Sequence, residues 1–317
     1  MERFKNILVL YDRKLGDEAA LDRATILAKL NSAKLTVVDA IELPTNALFG
    51  SSAWGVAGGR QPFIDERQSH LDRLIHSIKQ SDVDVCASVL VGKSFLEVIR
   101  AVVRERYDLV MMTADTLQGF RHCALGPMSL NLLRKCPCPV WVMQQKTGRR
   151  FQRILAAVDL DQSKGSPSAI DVKVVELASS LARIEQCRLD VLHAWNFSGS
   201  DLDTSRSEIT SNIMNQLIER NKAVHEERMT TLLETIDLKS IDFGVYLPKG
   251  DLIREIQDFA VEKKVDLIVM GTAGRCGLSG IFNGNSVEYV VSDVDCSILT
   301  VKPDQFVSPV ELNEYAM

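Results

Sequence analysis

The chain has 317 residues, 46% of them hydrophobic and 25% charged, which is enough for two globular domains of about 150 residues each. Its formal net charge of −5 argues against direct nucleic-acid binding, because a surface that contacts phosphates is normally basic. No apolar run reaches the ~20 residues of a membrane helix, and the first residues lack the pattern of a signal peptide. We therefore expect a cytoplasmic protein that binds neither membranes nor nucleic acid directly.

An internal repeat organises the chain. The apolar run Asn6 to Asp12 ends in an acid, and the same plan recurs 147 positions later at Arg153 to Asp159. Each run is followed by a helix-like segment and a short strand-like run, which is the start of a β-α-β unit. A repeat this long indicates duplicated domains. Each half is predicted to be a doubly wound α/β domain with a five-stranded parallel sheet.

The back part of each half repeats in a single register. An offset of 158 positions carries Asp108 to Met112 onto Asp266 to Met270, Gly126 onto Gly284, and Cys138 onto Cys296. The first strands are 147 positions apart, so the larger offset of 158 places 158 − 147 = 11 extra residues in the second half, between Asp159 and Gly250. Both halves therefore have the same predicted order of strands and helices.

Domain boundaries follow from this repeat. The first domain is predicted over 1–146 and the second over 151–303, with 304–317 as a solvated C-terminal tail of no assigned role. The basic linker between the domains is too short for them to move independently. We expect the two halves to pack together as an intramolecular pseudo-dimer. Further association into a homodimer is left open.

Two irregular stretches, 43–62 and 196–207, are predicted to be loops because they are rich in Gly, Ser, Asn or Asp. The apolar residues Leu48, Phe49 and Trp54 in the first stretch either pack over their own domain or cover a cavity.

The seven cysteines are scattered. No CxxC pair or nearby histidine completes a zinc site, so free thiols are expected. A redox-sensitive Cys136 and Cys138, or a reactive Cys276, is the alternative.

The most informative stretch follows the apolar run Val265 to Met270, which is predicted to be a buried strand. It brings five glycines to the exit of that strand before a helix-like pattern starts at Ser286; they are Gly271, Gly274, Gly277, Gly280 and Gly284. Glycines let a backbone approach a ligand closely, and the N-terminus of the following helix favours an anion. The stretch is therefore predicted to cradle phosphate. The alternative is a tight turn with close helix packing. The stretch has neither GxxxxGK[ST] nor GxGxxG, so it matches neither a P-loop nor a dinucleotide-binding motif.

Three strand ends of the second half are expected to converge on one crevice, because ligands bind at the carboxyl ends of strands in open α/β sheets. Asp159 would accept hydrogen bonds from ribose hydroxyls or an adenine amino group. The stretch Gly271 to Arg275 would border the same crevice, and four residues would face the phosphates: Gly274, Gly284, Asn285 and Ser286. His193 either joins this crevice or packs at the end of its strand.

The spacing Gly271-x2-Gly274-x9-Gly284, the strand-ending acids, the tandem halves and the closing KPDQFVSPVEL together resemble the universal stress protein family. The similarity covers essentially the whole chain and is greatest to the E-type, tandem members of proteobacteria. It implies Rossmann-like domains, ATP binding in one subset, and a role in stress survival that includes tolerance of DNA-damaging agents. The family's acid then falls on Asp159, and its loop glycines on Gly271, Gly274 and Gly284. The residue after Gly284 is usually Ser or Thr in ATP-binding members and is Asn285 here.

The first half departs from this motif. At the 158 offset, Gly271 corresponds to Thr113, Gly274 to Thr116 and Asn285 to Pro127. Side chains at the glycine positions crowd a phosphate, and Pro127 removes a backbone donor. Only Gly126 remains, so the first half is expected not to bind nucleotide through this loop.

The sequence favours a non-enzymatic protein that requires no cofactor and responds to ATP or another nucleotide-like ligand. One alternative is a slow nucleotide hydrolase or phosphotransferase, with Arg275 and Asp159 as the only obvious catalytic candidates. The other is a carrier of an amphipathic, phosphate-bearing metabolite whose cavity is lined by apolar residues such as Trp54 and Phe197. The glycine stretch has no lysine, and the sequence shows no evident magnesium-binding carboxylate pair or placed general base, which argues against the enzyme.

Overall fold

A computed structural model of the chain describes residues 3–13, 19–42, 60–115, 125–144, 150–160, 167–196, 211–272 and 294–312. These residues divide into two compact units. The first unit comes mainly from the part of the chain before residue 150 and also includes the C-terminal segment from Asp304, while the second comes mainly from Arg150–Pro303.

The first unit alternates strands and helices as the sequence predicts. Its elements are β1 (Asn6–Leu10), α1 (Ala19–Asn31), β2 (Lys34–Ile41), α2 (Gln61–Lys79), β3 (Val85–Val91), α3 (Ser94–Glu105), β4 (Leu109–Thr113), α4 (Pro127–Lys135) and β5 (Val140–Met143). The strands lie in the order β3-β2-β1-β4-β5 and every neighbouring pair is parallel. The chain therefore reverses its direction of winding between β1 and β4, where doubly wound sheets form their crevice.

The second unit has the same plan. Its elements are β6 (Arg153–Ala157), α5 (Ala169–Glu185), β7 (Arg188–Leu192), α6 (Ser211–Glu234), β8 (Phe243–Tyr246), α7 (Leu252–Lys263), β9 (Leu267–Gly271) and β10 (Ser297–Val301). These strands lie in the order β10-β9-β6-β7-β8, again all parallel. The predicted fold class, two tandem doubly wound α/β domains, is confirmed.

The predicted register of the repeat also holds in the structure. Strands β4 and β9 begin 158 positions apart, at Leu109 and Leu267. The offset is 147 between β1 and β6, 188 − 34 = 154 between β2 and β7, and 243 − 85 = 158 between β3 and β8. The 11 extra residues therefore fall as seven between β6 and β7 and four between β7 and β8. The two sheets can be compared position by position after this point.

Burial explains why these strands form. The central strands β4 and β9 are buried at every residue, as expected for parallel strands covered by helices on both faces.

The described end of the chain is largely exposed and also contacts two helices of the first unit. The Ser308 hydroxyl donates to the Lys135 carbonyl of α4 at 2.8 Å, and Arg100 Nε of α3 donates to the Glu311 carbonyl at 3.2 Å. These residues therefore belong to the first unit in space, although they follow the second in the chain.

No described helix is long and apolar enough to cross a membrane.

Candidate functional site

In the second unit, Asp159 follows β6 and lies at the carboxyl edge of the sheet, where the sequence predicts it. Its backbone N–H donates to Asp171 Oδ1 at 3.0 Å, and Asp171 is buried in the first turn of α5. The side chain of Ser168 caps the same helix by accepting from the Asp171 N–H at 3.2 Å. The exit of β6 is thus fixed to the start of α5, while the Asp159 residue itself remains half-buried.

Gly271 is the last residue of β9 and is buried. A Cβ built at this position would lie 2.8 Å from Cδ1 of Ile170, on α5. Such a contact is too short, so the absence of a side chain is explained by the packing of α5 on the sheet. The interpretation of Gly271 as a packing glycine, which the sequence left open, therefore has a physical basis at this position.

Five predicted ligand-binding residues lie outside the described residues: Gly274, Arg275, Gly284, Asn285 and Ser286. The predicted phosphate loop accordingly stays a prediction. The apolar loop residues Leu48, Phe49, Trp54 and Phe197, and the cysteines Cys123 and Cys276, also lie outside the described residues.

His193 follows β7 and is buried with 3% exposure. Its Nε2 lies 3.0 Å from Nδ1 of His225, on α6, and its Nδ1 lies 3.1 Å from the Val158 carbonyl oxygen. Burial lowers the pKa of His193 to about 4, so the ring is neutral at pH 7. His193 is a strand-end packing residue, the interpretation that the sequence favoured. Its partner His225 has no motif in the sequence and was not predicted.

The first unit contains a cavity of about 910 Å³ at the carboxyl ends of β1, β2 and β4. Its wall includes Asp12 and Asp39 from the strand ends, Arg67 from α2, Phe95 from α3 and Lys135 from α4. The cavity lies where strand order switches, which is the position that open α/β sheets use for ligands. The sequence predicted a crevice in the second half and did not predict this one.

The N-terminus of α4 borders this cavity and is occupied by a side chain of the protein itself. Asp115 follows β4, and its carboxylate accepts the backbone N–H of Met128 at 3.0 Å and that of Ser129 at 3.0 Å. The Ser129 hydroxyl also donates to Asp115. These N–H groups are the ones that a phosphate would bind at a helix N-terminus. An internal carboxylate therefore fills the anion position of the first unit.

Gly126 is the loop glycine that both halves share, and here it makes room for that carboxylate. A Cβ at Gly126 would lie 2.6 Å from Cγ of Asp115. The backbone of Gly126 has φ −75°, so space and not conformation requires the glycine. In the 158 register, Asp115 corresponds to Ala273 and Ser129 to Val287. The second half therefore lacks both side chains of this internal cap.

Asp39 carries a buried charge in the cavity wall. It is 5% exposed, and Arg67 Nη1 lies 3.2 Å from its Oδ2. Burial raises the pKa of Asp39, and the guanidinium of Arg67 acts against that rise. Oδ2 accepts no aligned hydrogen bond from any described residue. Asp39 thus contributes a carboxylate whose charge is balanced by Arg67 to the cavity wall, with Oδ2 itself buried.

The described cysteines are free thiols, as predicted: Cys86, Cys136, Cys138, Cys187 and Cys296. Cys136 and Cys138 are buried, and their Sγ atoms lie 3.6 Å apart. Within the described ranges, no three His, Cys, Asp or Glu side chains are grouped so that they could hold a metal ion.

The fold defines a tandem pair of Rossmann-like α/β domains. The family model described as "Universal stress protein family" matches residues 3–144 and 150–302. The chain belongs to this family.

Curated relatives match over almost the entire chain. The "Universal stress protein E" of Salmonella typhi is 27% identical over 321 residues, which cover 99% of each chain. The "Universal stress protein E homolog" of Haemophilus influenzae is 24% identical, and the match covers 96% of this chain and 99% of the homologue. The resemblance to E-type, tandem members is therefore confirmed at full length.

Solved structures confirm the fold. A protein of unknown function from Pseudomonas aeruginosa PAO1 superposes with a TM-score of 0.72 at 20% identity, covering 96% of this chain and 94% of that one. A universal stress protein from Archaeoglobus fulgidus gives 0.60 at 17% identity, covering 94% and 98%. At these identities the likeness concerns the fold alone.

Proposed function

We propose that this protein is a non-enzymatic, cytoplasmic stress-response protein whose second domain binds a nucleotide or nucleotide-like ligand. One observation carries the proposal: the carboxylate of Asp115 caps α4 in the first unit, whereas the aligned residue in the second half is Ala273. A domain that fills its own anion position has no room for a phosphate there. The second half has no such side chain in that register and has extra glycines around it.

Three further features support a ligand in the second half. Asp159 is held at the carboxyl end of β6 by α5 and keeps a half-buried side chain at that edge. Ser286 replaces Met128 in the register and adds a hydroxyl donor. The glycine stretch has no lysine, and P-loop enzymes use such a residue to reach the transferred phosphate. The last feature favours binding without phosphoryl transfer.

The test is calorimetric titration of freshly purified, nucleotide-stripped protein with ATP. We expect saturable binding to one site per chain, lost in Gly274→Val. The decisive variant is Ala273→Asp, which supplies to the second half the carboxylate that Asp115 supplies to the first. It should abolish binding by placing a negative charge at the phosphate position. The matched control Ala273→Asn introduces a side chain of nearly the same size as aspartate but without the charge, and it should retain most of the affinity.

Two results would contradict the proposal. Absence of heat at ~1 mM ATP, which corresponds to binding weaker than about −4 kcal/mol, would remove ATP as the ligand. Equal affinity of Ala273→Asp and wild type would remove the charge argument and with it the assignment to the second half.

The remaining parts of the proposal have separate measurements. Incubation with labelled ATP should yield no product above the spontaneous rate, and product formation would favour a slow hydrolase instead. Cells that lack the protein should survive a DNA-damaging agent less well, with rescue by wild type and not by Gly274→Val. Equal survival of the two strains would end the connection to DNA damage.

A further inference from the structure

The cavity of the first unit has two ends of different charge, and they determine what it can hold. At one end, Asp115 occupies the N-terminus of α4 and adds a negative charge beside Pro127 and Met128. An anionic group at that end would meet a carboxylate instead of free backbone N–H groups. The position that binds phosphate at a helix N-terminus is thus closed to anions in this domain.

The other end of the cavity carries two lysines. Lys93 Nζ lies 5.2 Å and Lys135 Nζ 4.8 Å from the centroid of the same ring, that of Phe95. The two ammonium groups are therefore at most 5.2 + 4.8 = 10.0 Å apart. Both lysines line the cavity, and no carboxylate of the described part of the chain forms an ion pair with them.

Among the described residues that line the cavity, Glu42 is the acid that adjoins α3. Its Oε1 accepts the backbone N–H of Ser94 at 2.9 Å, at the first residue of α3. The positive N-terminal end of α3 offsets this carboxylate. Positive charge therefore exceeds negative charge at the Phe95 end, opposite to the situation at Asp115.

Asp39 also lines the cavity, and its Oδ2 is buried. Arg67 already balances its charge at 3.2 Å. A carboxylate whose charge is already balanced accepts hydrogen bonds from neutral donors such as hydroxyl groups. The cavity wall at Asp39 thus favours a ligand with hydroxyl groups.

We propose that the first domain binds a phosphate monoester of a small polyol, with the phosphate at the Phe95 end of the cavity and not at the N-terminus of α4. At the second domain, by contrast, the phosphate is expected at the glycine stretch. The phosphate contacts Lys93 and Lys135 beside Phe95, and the hydroxyl groups donate to Asp39. Two ammonium groups match a phosphate monoester, with its charge of about −1.5 to −2 at pH 7, better than a single carboxylate. The cavity of about 910 Å³ has ample volume for such a ligand.

Ribose 5-phosphate is the probe, titrated by calorimetry into the nucleotide-stripped full-length protein. We expect saturable binding to one site per chain, and at least tenfold weaker binding of ribose, which lacks the phosphate. The double variant Lys93→Gln/Lys135→Gln should weaken ribose 5-phosphate binding at least tenfold. The matched control Lys29→Gln/Lys79→Gln removes the same charge from exposed positions on α1 and α2 and should bind as wild type.

Asp39→Asn should weaken both ribose and ribose 5-phosphate, and a thermal melt would show whether that buried substitution leaves the fold intact. If Asp39→Asn does not fold, Lys93→Gln/Lys135→Gln still tests the proposal, because Lys93 is exposed and Lys135 is only half-buried. Ala273→Asp, which acts on the second half, should leave ribose 5-phosphate binding unchanged, so the two proposed sites fail separately. Absence of saturable heat at ~5 mM, or wild-type affinity in Lys93→Gln/Lys135→Gln, would overturn the proposal.

Discussion

The internal cap of α4 predicts a large and local stability effect. Asp115→Ala removes the acceptor of the Met128 and Ser129 N–H groups, each at 3.0 Å, and of the Ser129 hydroxyl. Loss of a capping side chain costs about 1 kcal/mol. Ser129 is 0% exposed, so leaving its hydroxyl without that acceptor adds about 1–3 kcal/mol. The first domain should therefore lose at least about 2 kcal/mol of its free energy of unfolding.

The assay is hydrogen exchange followed by mass spectrometry of peptides, because it reports the two domains separately. A loss of about 2 kcal/mol makes the slowest amides of β4 and α4 exchange about 30-fold faster, since 1.4 kcal/mol corresponds to a factor of ten. Peptides from β6 and β9 serve as the internal control and should not change. Asp115→Asn keeps one acceptor oxygen without the charge, so its exchange rates should lie between those of wild type and Asp115→Ala.

The reasoning would be refuted if α4 peptides of Asp115→Ala exchanged within threefold of wild type. Equal acceleration in β9 would refute it in another way, because the effect would then not be local to the capped helix.

Two further predictions concern buried titratable groups. His193 has a folded-state pKa of about 4 against an ordinary value of 6.5, so on acidification the unfolded chain takes up the proton first. The second domain should keep its full stability above about pH 6.5 and lose up to about 3 kcal/mol as pH falls to about 4. Urea midpoints at pH 7.5 and 4.5 check this, and an unchanged pH dependence in His193→Phe would contradict it. The neighbouring Cys136 thiol and then burial raise the pKa of Cys138, so neither thiol should react with a maleimide at pH 8 until the protein is unfolded. Labelling of native Cys136 or Cys138 within minutes, detected by mass spectrometry, would restore the redox-sensitive alternative.

Much of the fold could be predicted because it depends on local patterns and on the repeat. The apolar runs that begin at Asn6 and Arg153 became β1 and β6, and the 158 offset carried β4 onto β9. The doubly wound class and the parallel direction of the strands followed from the repeated β-α-β pattern. These inferences need only the side-chain pattern and the length of each element.

The site of the first unit could not be predicted in the same way. Lys93 and Lys135 are 42 positions apart in the chain, and no short motif indicates that both approach Phe95. The difference at Asp115 could have been noticed in the sequence, since the register pairs this acid with Ala273. Its role as a cap depends on the position of the α4 N-terminus, which the sequence does not give. His225 meets His193 across 32 positions and was missed for the same reason.

The capped helix also affects how each domain responds to metabolite levels. Because Asp115 is part of the chain, the two N–H groups of α4 that donate to it have a hydrogen-bond acceptor at every ligand concentration. A helix that instead receives its anion from solution gains stability only as that anion accumulates, by RT ln(1 + [L]/Kd). The carboxylate of Asp115 thus makes the order of the α4 N-terminus independent of metabolite supply.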